Sequence, residues 1–242
     1  MIKKPDKLTT AKDAQAVLKT MANPQRAVHS QRFFKTGKGE YAEGDIFIGI
    51  TVPALRAFVP KCKCIGIDDI LSLLKSPLHE ERLLALFLLV DRFKKGEDQI
   101  KERIYNLYLR NTKHINNWDL VDCSAHLIVG AYLEDRDTKI LFELAQSKTL
   151  WERRISVLAT FHLIRRDQFD VALKLYEMLI NDKEDLMHKA VGWMLREIGK
   201  RDRAAEEAFL KKHCRIMPRT MLRYAIERFP EEKRAAYLRG KR

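Results

Sequence analysis

The stretch Glu80–Phe93, EERLLALFLLVDRF, decides the fold class. Leu83, Leu84, Phe87, Leu88 and Phe93 recur at the three- and four-residue intervals that gather side chains on one helical face. That periodicity places Glu80, Glu81, Arg82, Asp91 and Arg92 outside the apolar core. Ser76-Pro77 stands just ahead, as expected at a helix start. Downstream, the same reading predicts helices over Ile100–Leu109, Trp118–Leu133, Thr138–Ala145, Leu150–Arg165, Phe169–Leu179, Leu186–Ile198, Ala204–His213 and Met217–Phe229. No segment alternates like a strand between hairpin turns. Ile46–Val52 comes nearest, and its glycine and the following Pro53 point to the approach to a helix.

The links between these helices are short and polar, as in Asp167-Gln168, Asn181-Asp182-Lys183-Glu184 and Gly199-Lys200-Arg201-Asp202. Short links make successive helices pack antiparallel, as αα-hairpins. Tryptophans at 118, 151 and 193 lie 33 and 42 residues apart, close to helical-repeat lengths but unequal. The expected fold is all-α: a curved right-handed superhelix, or solenoid, of antiparallel helical hairpins of the HEAT/armadillo kind, presenting a long face to an extended ligand. Without a long Gly-, Ser- or Pro-rich tract, residues 1–242 are expected to form one domain. Its irregular piece is a loop at about 35–52. The loop's glycines forbid a regular helix, and its spacing fails both the dinucleotide and nucleoside-triphosphate patterns.

Composition narrows the partner. The 242 residues carry 46 Lys plus Arg against 33 Asp plus Glu, a formal net charge of +13, with 46% hydrophobic residues. Such an excess concentrates polyanions near the surface. The final 42 residues, Arg201–Arg242, hold 13 basic and 6 acidic side chains, a net of +7. Arg215, Arg219 and Arg223 recur every four residues around Pro218, close to one face if helical, where they would give salt-sensitive phosphate contacts without reading sequence. A solvated terminal surface is the plain alternative. Arg153 and Arg154 after Trp151 add to a basic groove, and Lys38 and Tyr41 are the loop's candidate contacts to the ligand. Cys62, Cys64, Cys123 and Cys214 have neither metal-site spacing nor the look of a disulfide framework, so reduced cysteines and a cytoplasmic setting are expected. Met1–Thr10 lacks a signal peptide's apolar stretch, and Leu83–Val90 is too short to span a bilayer.

One segment carries the makings of chemistry: Asn116-Asn117-Trp118-Asp119-Leu120-Val121-Asp122. Either asparagine can cap the helix, and the helix dipole favours Asp119 in the first turn. Asp122, four residues past Trp118, emerges on the same face. An aromatic plane beside a carboxylate suits a cationic, sugar-like transition state. On spacing alone the plainer reading is that Trp118 packs in the core while Asp122 pairs with a neighbouring helix. Gly192, inside Lys189–Glu197, costs roughly 1 kcal/mol relative to alanine and implies a packing reason, such as close approach of another helix or room beside Trp193.

Taken in order, Trp118–Asp122, Trp151-Glu152-Arg153-Arg154 and Lys189–Glu197 resemble the bacterial DNA alkylation repair family, glycosylases built of HEAT-like repeats. The resemblance implies that Trp118 and Asp122 flank the deoxyribose of the lesion, that Trp193 forms a second aromatic wall, and that Arg154 lies by the DNA backbone. It implies excision of positively charged alkylpurines, such as 7-methylguanine and 3-methyladenine, from double-stranded DNA, by a monofunctional enzyme without metal or cofactor and without enclosing the base. Asn117 stands where some members carry a further tryptophan, and the Lys35–Asp45 loop is longer and richer in glycine. The catalytic candidates are thus Asp122, Trp118 and Trp193. The DNA-binding candidates are Arg154, Arg153, Lys189, Arg215, Arg219, Arg223, Tyr41 and Lys38. A monomer in the bacterial cytoplasm, at the nucleoid, is the matching expectation. The alternatives are a non-catalytic helical-repeat module that grips nucleic acid, or a protein-interaction scaffold.

Overall fold

A computed structural model describes residues 8–240. The opening residues 1–7 of the charged N-terminal segment and the basic pair 241–242 lie outside the described residues. Fourteen α-helices run through the described residues, with one isolated parallel bridge, Ile46 to Leu78, and no strand. The fold class is all-α. No described helix is long and apolar enough to cross a membrane. The chain divides after Ser124 into two compact units.

The first unit contains α1 (Ala11–Met21), α2 (Pro24–Phe33), α3 (Val52–Phe58), α4 (Ile67–Leu74), α5 (His79–Lys95), α6 (Asp98–Arg110) and α7 (Trp118–Asp122). Local chemistry sets several starts. Thr10 and Asp13 form a reciprocal capping box on α1, Asn23 caps α2 ahead of Pro24, and Thr51 caps α3, whose second residue is Pro53. Ile46–Val52 therefore does lead into a helix. At the centre lies α5, with α3, α4, α6 and α7 against it. Leu83, Leu84, Phe87, Leu88 and Phe93 are all buried, as their spacing predicts.

Burial extends further than periodicity allows. Glu80, Glu81 and Arg82, expected outside the core, are only 2%, 2% and 4% exposed. The reason is long-range pairing. Oε1 of Glu80 accepts from the backbone N–H of Gly49 (2.7 Å) and Ile50 (3.2 Å), and Oε2 from that of Ile48 (3.0 Å). Glu81 accepts from Gln15 Nε2 (2.8 Å), and Arg82 donates to Asp45 Oδ1 (2.6 Å) and the Ser76 carbonyl (3.0 Å). Such partners offset the cost of burying these charges, although Nε of Arg82 is buried without one. Gly49 completes the joint. Its φ of +81° and its approach to the backbone of Asn23 and Ala27 leave no room for a side chain.

The second unit opens with a π-helix, His126–Gly130, followed by α8 (Lys139–Ala145), α9 (Leu150–Ile164), α10 (Asp170–Met178), α11 (Asp185–Arg201), α12 (Arg203–His213), α13 (Arg219–Ala225) and α14 (Glu231–Leu238). Helices α8 and α10 pack on α9, α9 on α11, and α11 on both α12 and α13. Each long helix thus meets its chain neighbour and the next helix but one. Two predicted helices are interrupted. Trp118–Leu133 breaks after α7, where Ser124 Oγ donates to the Leu120 carbonyl (2.5 Å) and competes with the helical ladder. Met217–Phe229 shortens to α13 plus a 3₁₀ turn, since Pro218 stands outside the helix.

Gly192 has the packing reason its position implies: a Cβ there would run into the Met221 carbonyl and Tyr224 Cβ, on α13. Gly192→Ala should therefore lower stability by about 1–3 kcal/mol through overpacking, although alanine is the better helix former by about 1 kcal/mol. Thermal melting followed by circular dichroism checks the sign. A melting temperature raised by the substitution would refute the close-approach account.

Candidate functional site

In the first unit the candidate chemistry sits on α7, a helix of five residues. Asn117, fully buried, caps it: Oδ1 accepts from the Trp118 N–H (2.8 Å), while Nδ2 donates to Asp45 Oδ2 (3.1 Å). Trp118 and Asp122 open and close this single turn, both half-buried. The indole lies flat on Phe34 (centroids 5.1 Å, planes 14° apart) and meets Phe33 edge-on (6.0 Å, 71°). Phe34 stacks in turn on Phe47 (4.6 Å, 23°), and Phe47 on the His79 ring (4.2 Å, 22°). A file of four rings thus runs from half-buried Trp118 to buried His79, flanked by Phe33, which is 59% exposed.

His79 ends that file in a cluster of charges that periodicity does not reveal. Nδ1 faces Asp45 Oδ2 and Nε2 faces Asp119 Oδ2, each at 2.8 Å, and Arg82 holds the other oxygen of Asp45. Burial alone would drive the imidazole neutral. Its bonds and charges from Asp119 and Asp45 outweigh that and raise its pKa to about 9. Burial likewise opposes ionisation of Asp45, yet His79 and Arg82 hold its carboxyl below the usual range. Asp119, which the sequence assigns to the helix dipole, is thus tied to α5, while its Oδ1 accepts from the Leu120 N–H (2.8 Å). Asp122 contributes to the field at Cys123, whose thiol burial pushes up to about 11, with Asp119 and Asp122 adding to the rise. Lys38 is exposed and Tyr41 half-buried in the loop between α2 and α3.

In the second unit, Arg153 and Arg154 lie in the first turns of α9, and Lys189 and Trp193 on α11, which packs against it. Arg153 is engaged: Nε donates to Asp182 (2.7 Å) and Nη1 to the Ser147 carbonyl (3.0 Å). Arg154 is buried, and its Nη1 donates to the Leu186 carbonyl (2.5 Å), joining α9 to the first turns of α11. Lys189 pairs with Asp185 one turn back (2.7 Å). Trp193 is half-buried, donates to Glu197 Oε1 (3.0 Å) and lies 6.0 Å from the Phe161 ring. Arg215, Arg219 and Arg223 are all exposed. They do not share one helix, however: Arg215 lies in a turn before Pro218, while Arg219 and Arg223 belong to α13. Among the described residues no group of His, Cys, Asp and Glu could hold a metal ion.

A family model described as DNA alkylation repair enzyme matches residues 14–229, nearly the whole of both units. This chain belongs to the DNA alkylation repair enzyme family. The family match includes α7, the start of α9 and all of α11, so the three segments on which the sequence resemblance rests fall inside it. Among solved structures, one described as a predicted DNA alkylation repair enzyme from Enterococcus faecalis is similar to this family member, with a TM-score of 0.68 at 16% identity over 87% of this chain and 98% of that one. The structure of smu.31 from Streptococcus mutans UA159 is also similar, with a TM-score of 0.52 at 17% identity over 91% and 96%. At those identities the likeness is one of fold. No curated protein matches the chain. For a DNA alkylation repair enzyme, residues that sequence reasoning missed include Asp45, His79 and Arg82. The available signal was a histidine heading the acidic start of α5, His79-Glu80-Glu81, and an aspartate closing a glycine-rich loop.

Proposed function

We propose that the protein is a monofunctional DNA glycosylase that releases positively charged alkylpurines, such as 7-methylguanine and 3-methyladenine, from double-stranded DNA. The observation that carries this reading is the α7 turn, where one five-residue helix bears an indole braced flat against Phe34 and a half-buried carboxylate at its other end. A purine alkylated to a cation is already a good leaving group. The N-glycosidic bond breaks with its electron pair going to the base, which departs neutral, and positive charge develops on the sugar. Asp122 stabilises that charge and orients the attacking water, whose oxygen bonds to the anomeric carbon while its proton leaves to solvent. Trp118 offers an aromatic face to the cationic sugar, worth roughly 0.5–2 kcal/mol, and the family resemblance gives Trp193 a matching role. No metal, cofactor or general acid is required.

Exposed Arg215, Arg219 and Arg223, with Lys38, supply phosphate contacts, and Arg153, Lys189 and Tyr41 complete the DNA-facing set in this reading, while Arg154, buried against the Leu186 carbonyl, braces α9 on α11 rather than meeting a phosphate. Its setting is a monomer in the bacterial cytoplasm, at the nucleoid. The HEAT-like solenoid of helical hairpins, as one domain, belongs to the same proposal. It is supported within the second unit by the packing of α9 on α11 and α11 on α13. The decisive assay incubates the protein with duplex DNA containing 7-methylguanine and measures free base. Release well above the spontaneous rate is expected. Tight DNA binding without release would instead establish a non-catalytic module.

A further inference from the structure

We propose that His79 is a positioning residue for the α7 turn: as a buried imidazolium bridging Asp45 and Asp119, it fixes the orientation of Trp118 and Asp122. The inference rests on the glycosylase reading of that turn and deepens it. Both ring nitrogens of His79 face a carboxylate oxygen at 2.8 Å. Only the cation has a proton on each, so a neutral ring would turn a lone pair towards one of the two carboxylates. The cluster balances, with His79 and Arg82 against Asp45 and Asp119.

Three tethers from this cluster converge on one short helix. Asp119 of α7 is bonded to His79, and Asn117, the cap of α7, is bonded to Asp45. The ring file His79–Phe47–Phe34 ends flat on Trp118. A five-residue helix has no stability of its own, so its orientation is imposed from outside, and catalytic groups tolerate little misplacement. Other charges around α5 are directed elsewhere. Glu80 takes the backbone of Ile48–Ile50, Glu81 takes Gln15, and Asp69 of α4 takes the Ala11 N–H. Arg56 of α3 lies over Phe87, and Tyr108 of α6 bonds Ser124. Burial first, then the charges of Lys113 and Lys75 with that of Arg82, keep His114 below its usual pKa.

With the His79 pKa raised to about 9, the tether holds through neutral pH and loosens as pH rises past that value. Single-turnover release of 7-methylguanine, corrected for spontaneous loss, should be followed across pH 6–10 for the wild type, Asp119→Asn and His79→Gln. The wild-type rate should fall with an apparent pKa near 9. Asp119→Asn removes one stabilising charge but keeps an amide oxygen in place, so its alkaline fall should begin at lower pH while DNA affinity stays within about twofold. His79→Gln should lose rate, not affinity, at every pH. An unshifted fall in folded Asp119→Asn, or a wild-type rate in His79→Gln, would overturn the proposal.

Should either variant fail to fold, the wild type itself supplies the answer. The difference in fluorescence between it and Trp118→Phe isolates Trp118. That difference should change sigmoidally near pH 9, and a flat trace between pH 7 and 10 would refute the tether. If the wild type releases no base at all, the glycosylase reading fails, while the fluorescence titration still judges His79.

Discussion

Asp122→Asn is expected to slow the release of 7-methylguanine from duplex DNA on the order of 10²–10³-fold, the loss typical when one preorganised electrostatic partner of a developing charge is removed. Asparagine keeps the shape of the side chain and its hydrogen-bonding oxygen but not its charge. The effect should therefore fall on the chemical step and leave DNA affinity within about twofold. Asp122 closes α7 and has further interactions of its own, so folding must be checked alongside. Single-turnover release and a filter-binding titration on the same preparation separate the two quantities. Equal losses of binding and release would mean that Asp122 holds DNA or the fold, and the mechanistic role given to it would be withdrawn. Wild-type release by the variant would do the same.

Asp45→Ala is expected to lower stability by about 3–5 kcal/mol, the cost of breaking a buried ion pair by removing one partner. Asp45 is 5% exposed and accepts from His79, Arg82 and Asn117 at once, so alanine strands donors from α5 and from the cap of α7. Urea denaturation at neutral pH measures it. The pH dependence carries a second sign. Because the folded-state pKa of Asp45 is depressed, its stabilisation is present above the ordinary carboxylate value of 3.8 and is lost as pH falls through the folded pKa. Wild type and variant should thus converge in stability under acid conditions. His79 acts in the opposite direction. Its raised pKa gives a contribution that is complete below 6.5 and disappears as pH rises through about 9. A variant as stable as the wild type at neutral pH would show the cluster to be energetically idle.

Much of the helical framework is legible in the chain because its signals are local. Apolar spacing at Leu83–Phe93, short polar links and the cap at Asn117 depend on residues a few positions apart, and helices follow where they predict them. Gly192 also betrays itself, since a glycine inside a helix needs an external reason. The failures have one physical origin. Glu80, Glu81 and Arg82 look like solvated residues because their partners Gly49, Gln15 and Asp45 are 31, 66 and 37 positions away in sequence. The same distance hides His79 between Asp45 and Asp119. The break after α7 coincides with the Ser124 hydroxyl bonding back to Leu120, a local feature that an apolar pattern does not register. As for the candidate site, Trp118 and Asp122 are legible as a pair four residues apart, whereas the stack behind Trp118 is visible only once residues 33–47 have folded back on α7.

The joint at Gly49 divides the connection between α2 and α3 into parts with opposite evolutionary freedom. Around Gly39 and Gly44 a Cβ would meet nothing within 4 Å, but φ of +79° and +81° favours glycine at both positions, so the tip is free in length rather than in those two residues. From Asp45 to Ile50 the chain is clasped by Glu80, Arg82 and His79 on one side and by α2 on the other. Insertions in relatives should accordingly cluster ahead of Asp45. A graft at 37–44 would respect the clasp but displace Lys38, Tyr41 and buried Ala42, whereas one from Asp45 onward would break the clasp itself.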